Sequence, residues 1–397
     1  MRFTRKSFFR VLAGGFAALI VLLALGAWLS PEVEFLLRSG YEEGRILMAR
    51  RPIQELLDDP ATPPDLKARF ALVLDARDFA ARRLGLAAGE TYTTYSDVGR
   101  RGESGALLWV ITASRKDRLE PYRWWYPVVG SVPYKGFFHK EAAEAERGRL
   151  ETAGYDTYLR PAGAFSTLGW FNDPLLSTAL DGDDADLAST VIHEISHNTL
   201  WAPGAVRFNE SYANFVGLRG AEAFFNSRGT PADLELARRC GAIWRDEVRL
   251  GSFYEELAAG LGALYSSGLS GRALEARRAA VFAQARAALA GPVGRRLEVY
   301  SGRSASRREL NNAVVIAALL YRTGLPDFDR AYEGAGGDLR GAVAAIRQVV
   351  RSDRARQPAV ALAAATFGTV RPRSVRVAWM PGLRAVPMTP SPAGRGL

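Results

Sequence analysis

Cysteine is almost missing from this sequence: Cys240 is the single one in 397 residues. One cysteine excludes an intramolecular disulfide framework and any cysteine-based zinc cluster, and Cys240 itself reads as a small buried apolar residue. None follows the apolar run near the N terminus, so lipid attachment to a cysteine there is excluded. Histidine is nearly as scarce, with three residues in the chain. No glycine-rich phosphate loop and no serine nucleophile elbow occur, and no repeat of fixed period runs through the chain. Lys and Arg number 52 against 42 acidic residues, a net charge of +10. These cations are spread along the chain rather than gathered into an aromatic-interleaved patch, which argues against a nucleic-acid partner.

Apolar content is ample. At 48% hydrophobic the chain can bury a real core, as two domains or as one domain with appendages. Residues 1–30 read as a targeting segment: "MRFTRKSFFR" supplies four cations, and "VLAGGFAALIVLLALGAWL" then runs 19 residues without a charge. At about 1.5 Å per residue that length just spans a bilayer core. It is long for a signal-peptide core and lacks a good cleavage pattern, so it reads as one uncleaved transmembrane helix. The basic flank stays cytoplasmic. The expectation is a single-pass protein of the inner membrane, with residues 31–353 on the extracytoplasmic side.

Within 31–353 the texture changes once. Residues 31–86 carry charged and apolar residues at helical spacing, broken by "DDPATPPD". Strand patterns follow in "ALLWVIT" and "WYPVVGSVPY", then a helix, "KEAAEAERGRLETAGY", with Gly154 at its C-terminal end, then a strand, "DTYLRP". The order strand, helix, strand predicts an α+β fold with a small mixed sheet. The sheet-containing half covers about 90–200 and an almost wholly helical half about 205–353. Residues 354–397, rich in Pro and Arg, read as a disordered tail.

Two of the three histidines fall in "VIHEISHNTLW". On a helix with Asp183 or Asp184 as N-cap, Leu187, Val191 and Ile195 form one buried stripe. His193 and His197 lie about 200° from Val191 and Ile195 and one turn apart from each other. Two imidazoles so spaced can converge on one tetrahedral zinc, with Glu194 in reach of a water in an open position. Pro203 and Gly204 end the helix, and a second starts near Asn209 with Glu210, Asn214 and Gly217 on one face. A short connection returns it antiparallel, so Glu210 can point at the histidine pair. Two histidines and a glutamate leave one position for water, the layout of a catalytic site.

Other residues carry weaker signals. Ser166, Thr167, Leu168 and Gly169, in "AFSTLGW" just upstream, are candidates for an edge strand that pairs with a peptide substrate. Asn214 is a candidate to orient a ligand histidine. An oxyanion partner is expected among Tyr134, Tyr155, Tyr212, Tyr321 and His139. Asp173 can meet a substrate amine or form a turn before Pro174. Asn311 and Asn312 read as a helix start, and "NES" at Asn209, though a glycosylation pattern, falls in the ligand helix.

"HEISH" followed by "NESYA" resembles the gluzincin metallopeptidases. With "WWYPVVGSVPYKGFF", "GYDTYLRPAGAFSTLGWFNDPLLST", "FNESYANFVG" and "LNNAVVIAALLY", the chain from about residue 41 to 350 is similar to the bacterial putative aminopeptidase family. The resemblance implies a zincin-like fold, one zinc ion held by His193, His197 and Glu210, and Glu194 as general base acting on a peptide substrate. The rival readings are an endopeptidase or cell-wall amidase, and a scaffold whose zinc only joins two helices.

Overall fold

The computed structural model describes residues 31–99, 108–126, 130–162, 173–352 and 357–367. Helices dominate, and strands are few and short, an α+β architecture. Helix α1 (Pro31–Met48) leads into strand β1 (Arg51–Pro52), the short helix α2 (Ile53–Asp58) and helix α3 (Pro64–Arg82). Proline at the first position of α3 suits a helix start, because its missing N–H has no partner there anyway.

The strand segment builds three small sheets. β3 (Leu108–Arg115) lies between β6 (Lys135–Phe137) and β7 (Tyr155–Ala162), both antiparallel to it. Helix α4 (Lys140–Thr152) connects β6 to β7, buries Ala143, and packs Leu150 in a cluster with Ile111 and Ala113 of β3. The expected strand, helix, strand order is present, but the sheet around it is wholly antiparallel. Mixed pairing occurs instead where β2 (Thr94–Ser96) joins β1 antiparallel and β8 (Leu175–Leu176) parallel. The third sheet is a hairpin of β4 (Trp124–Tyr126) and β5 (Gly130–Val132).

The remainder is helical, as the glycine-punctuated periodicity predicts. Helices α5 (Asp184–Thr199), α6 (Val206–Arg228) and α7 (Pro231–Tyr265) follow one another with short connections, then α8 (Gly271–Ala290), α9 (Gly302–Arg307), α10 (Asn312–Tyr321), α11 (Leu325–Gly334) and α12 (Leu339–Ser352). Val191 and Ile195 of α5, Phe70 of α3, Phe215 of α6 and Trp244 of α7 are all fully buried in one core cluster. A second cluster joins the C-terminal half of α7 to α8 and α10, through Leu257, Phe282 and Val315.

Two expectations meet the structure differently, and a third falls outside the described residues. Among the described residues no helix is long and apolar enough to cross a membrane, which corrects the single-pass placement in the inner membrane. Helix α1, the first described, carries Arg38, Glu42, Glu43 and Arg45, and the apolar run at 11–29 lies outside the described residues. Part of the tail read as disordered is a helix, α13 (Pro358–Phe367), whose Leu362 is buried in the main core. Its sequence, "PAVALAAATF", is a proline-initiated alanine and leucine run that the Pro and Arg content downstream had masked. The candidate edge strand Ser166, Thr167, Leu168 and Gly169 lies outside the described residues.

Candidate metal centre

Helix α5 is fixed at both ends by its own sequence. Asp183 is the N-cap, its carboxylate accepting the Asp186 N–H at 2.9 Å, with Asp184 and Asp186 in the positively polarised first turn. At the far end, Thr199 Oγ1 accepts the Ala87 N–H at 2.9 Å and the Asn198 amide donates to Thr91 Oγ1 at 3.0 Å. The loop that holds Tyr92 is thereby bound to the helix that holds Glu194.

The turn into α6 is equally specific. Gly204 takes a left-handed φ of 75°, and the fully buried Asn209 clamps the turn by accepting the Ala202 N–H and donating to the Ala202 carbonyl, both at 2.9 Å. Asn209 is therefore a structural clamp, and its burial excludes it as a glycosylation acceptor. The clamp sets the start of α6 and with it the direction of the next side chain, Glu210. Contacts confirm that α6 runs back along α5: Glu210 faces His197 and His193, and Gly217, two turns on, faces His193 and Ser189.

His193, His197 and Glu210 converge. One ligand atom of each lies within 4.8 Å of the others. His193 Nε2 is 3.6 Å from Glu210 Oε2 and His197 Nε2 is 4.0 Å from Glu210 Oε1. Both exceed a good hydrogen bond, so the three groups face one another across a gap. Exposures of 18% for His193, 13% for Glu210 and 8% for His197 make the site recessed yet reachable.

The protonation states of His197 and Glu210 suit a cation. Burial, together with the charge of a protonated His193, pushes His197 down to about 4, so its imidazole is neutral at pH 7. Burial opposes ionisation of Glu210, but the facing His193, with the charges of His197 and Arg160, outweighs it and holds the carboxyl below its ordinary value. His193 responds in the opposite sense: burial lowers its pKa, and Glu210 and Glu194 raise it above the usual histidine value. His197 makes no hydrogen bond among the described residues, and its Nδ1 is buried without a partner. Its Nε2 faces the Glu210 carboxylate at 4.0 Å, too far for a hydrogen bond, so a neutral imidazole offers that nitrogen's lone pair to a cation. The residues therefore fit a metal ion.

The structure sorts the remaining candidates. Tyr321 and Tyr134 are half-buried near the centre: loss of solvent, then the Glu210 charge, raises the Tyr321 hydroxyl, and loss of solvent, then Tyr321 and Glu210, raises that of Tyr134 to about 12. Tyr212 is far into the core against Phe208 and Phe328, Tyr155 packs on Tyr122, and His139 meets Arg38 at 2.8 Å. Asn214 donates to Glu247 at 3.1 Å and to the Tyr321 carbonyl at 3.4 Å, so its amide holds the end of α10 rather than a ligand histidine. Asn311 caps α10, accepting the Val314 N–H at 3.0 Å.

Two functional neighbours escaped the sequence. Tyr92 takes φ 61°, the one positive φ at a non-glycine among the described residues. Its hydroxyl is raised well above the ordinary value by burial and then by the charges of Glu194 and Asp173. Arg160 of β7 lies over the Tyr321 ring, 5.9 Å from its centroid. The signal for Tyr92 is conformational and invisible in a residue string; that for Arg160 depends on β7 running alongside α10.

A family model described as "Putative aminopeptidase" matches residues 34–360. The chain belongs to this family. No curated protein and no solved structure is a match. The family match spans both the sheet segment and the helices that bear His193, His197 and Glu210, so the candidate centre lies inside the shared region.

Proposed function

We propose that this chain is a zinc-dependent aminopeptidase of zincin-like, gluzincin type. The observation that carries the reading is the convergence of His193, His197 and Glu210 beside Glu194, a donor set of two imidazoles and a carboxylate that favours zinc. Zinc held there supplies Lewis acidity toward water and toward the scissile carbonyl. Glu194 follows His193 on the helix, about 100° round, and its charge acts on both Tyr92 and His193. Its carboxylate takes the proton of the attacking water and hands it to the leaving amine. Tyr321 and Tyr134, whose phenols keep their protons at pH 7 as phenols ordinarily do, are donors for the developing oxyanion. A carboxylate of this kind next to a ligand has no part in a purely structural site, which favours catalysis over a scaffold.

The test is Glu194→Gln in the full-length protein. The variant is expected to bind about one zinc per chain, as the parent does, and to lose peptidase activity by about 100- to 10,000-fold, the scale of a lost general base. Activity equal to the parent would remove Glu194 from the mechanism. Equal cleavage of free and N-acetylated peptides would replace the aminopeptidase by an endopeptidase.

A further inference from the structure

A cavity of about 420 Å³, within the range of about 300–1,000 Å³ that holds small ligands, lies against Tyr321, whose carbonyl accepts from Asn214, one turn along α6 from Glu210. The charges of Glu210 and Glu194 reach the Tyr321 hydroxyl. The cavity is lined by three guanidinium groups, Arg160, Arg308 and Arg322, against one carboxylate, Glu309. Arg322 is committed to the buried Glu247 at 2.7 Å, and Glu309 accepts the Asn311 amide at 3.0 Å. Arg160, which lies over the Tyr321 ring, and Arg308, both without a carboxylate partner among the described residues, make with the tyrosine hydroxyls around them a site for an anion with planar, two-oxygen geometry, which is a carboxylate.

The neighbourhood is polarised. On the Tyr92 flank Glu194 and Asp173 act on Tyr92, and Asp173 acts also on Glu43, where Arg50 opposes it. On the Tyr321 flank the charge is Arg160, which acts on Tyr321, Tyr134 and Glu210. A peptide lying across the centre with its amine toward the acidic flank therefore has its carboxyl end toward the basic cavity. Arg160 is close enough for its charge to be felt at Glu210, and an extended chain advances about 3.3–3.6 Å per residue, so the carboxylate it meets lies only a few residues past the scissile bond.

We infer that this cavity is a subsite for a peptide carboxylate on the leaving-group side, held by Arg160 and Arg308, so that short peptides ending there are the favoured substrates. The inference rests on the peptidase reading for its purpose, but binding can be measured without hydrolysis. Calorimetry on the full-length protein with metal removed by chelator compares trialanine, trialanine amide, and alanyl-alanyl-glutamic acid amidated on its main-chain terminus only. Trialanine is expected to bind about ten- to a hundredfold more tightly than its amide, the range of a hydrogen bond to a charged group. That ratio is expected to fall toward one in Arg308→Ala, an exposed position, and in Arg160→Gln. If the glutamate peptide does not regain the affinity, the C terminus is what the cavity recognises; if it does, any carboxylate serves and the preference for short peptides ending there is overturned. Equal affinity for trialanine and its amide, no binding of either below about 10 mM, or a ratio that survives both substitutions overturns the subsite. Discrimination retained in a protein that hydrolyses no peptide would instead remove the peptidase reading and leave the subsite standing.

Discussion

Gly217 of α6 passes so close to His193 of α5 that a Cβ on the glycine would stand 3.0 Å from the histidine Cβ and 2.8 Å from the Ser189 carbonyl oxygen. Hydrogen at this position is what lets the two helices approach along the stretch that brings Glu210 to the histidines. Three residues further on, Gly220 repeats the device: its Cβ would fall 2.8 Å from Ile192 Cγ2. The metal-binding geometry is thus set by absent side chains as much as by the ligands.

Gly217→Ala is expected to push α6 away from α5. The overpacked site should cost about 1–3 kcal/mol of stability, although alanine is the better helix former. Zinc affinity should fall with it, because Glu210 moves on the displaced helix. Urea unfolding and competition with a chelator check both effects. A variant as stable as the parent and equal in zinc affinity would show that the backbone contact does not position Glu210.

The two metal helices were legible because their periods and breaks are local. Histidines four apart and an apolar stripe define one helix, a proline and glycine pair ends it, and a glutamate follows on the next helix. What could not be read is what distant segments bring to that frame. Arg160 meets Tyr321 because Asn311 donates to the Thr157 carbonyl at 3.0 Å and the Asp156 carboxylate accepts the Asn312 N–H at 2.9 Å, which fixes α10 against β7. No spacing encodes such a contact across more than 150 residues. The antiparallel sheet was missed for a related reason: a connection that includes a helix is compatible with either strand direction until the packing of α4 decides it.

Two tyrosines give opposite expectations. Tyr321→Phe removes a hydroxyl beside Glu210, and kcat on a peptide should drop about a hundredfold, the scale of one lost oxyanion donor, with zinc content unchanged. Tyr212→Phe removes a buried hydroxyl that has no hydrogen-bond partner among the described residues. Deleting an unsatisfied polar group should leave activity alone and raise stability by about 1 kcal/mol. Steady-state kinetics and thermal melts separate the two, and a loss of activity in Tyr212→Phe would contradict its assignment to the core.

Glu255 of α7 offers a pH test remote from the metal. Its carboxylate accepts the Gly324 N–H at 2.8 Å, at the left-handed residue (φ 66°) that precedes α11. Burial raises its pKa above 4.5, the hydrogen bond works against the rise, and the Glu256 charge adds to it. A carboxyl with a raised folded pKa binds its proton more tightly folded than unfolded. Its contribution is therefore most favourable below the unfolded value and is lost as pH rises through the folded one, leaving a penalty at neutral pH. Glu255→Gln keeps an oxygen for Gly324 and never ionises, so it should melt higher than the parent at pH 7.5. The gap should narrow as pH is lowered toward 4.5, where the parent carboxyl is protonated. Melting curves at several pH values decide it: a variant that melts lower at every pH would mean that the charged hydrogen bond to Gly324 outweighs the cost of burying the charge.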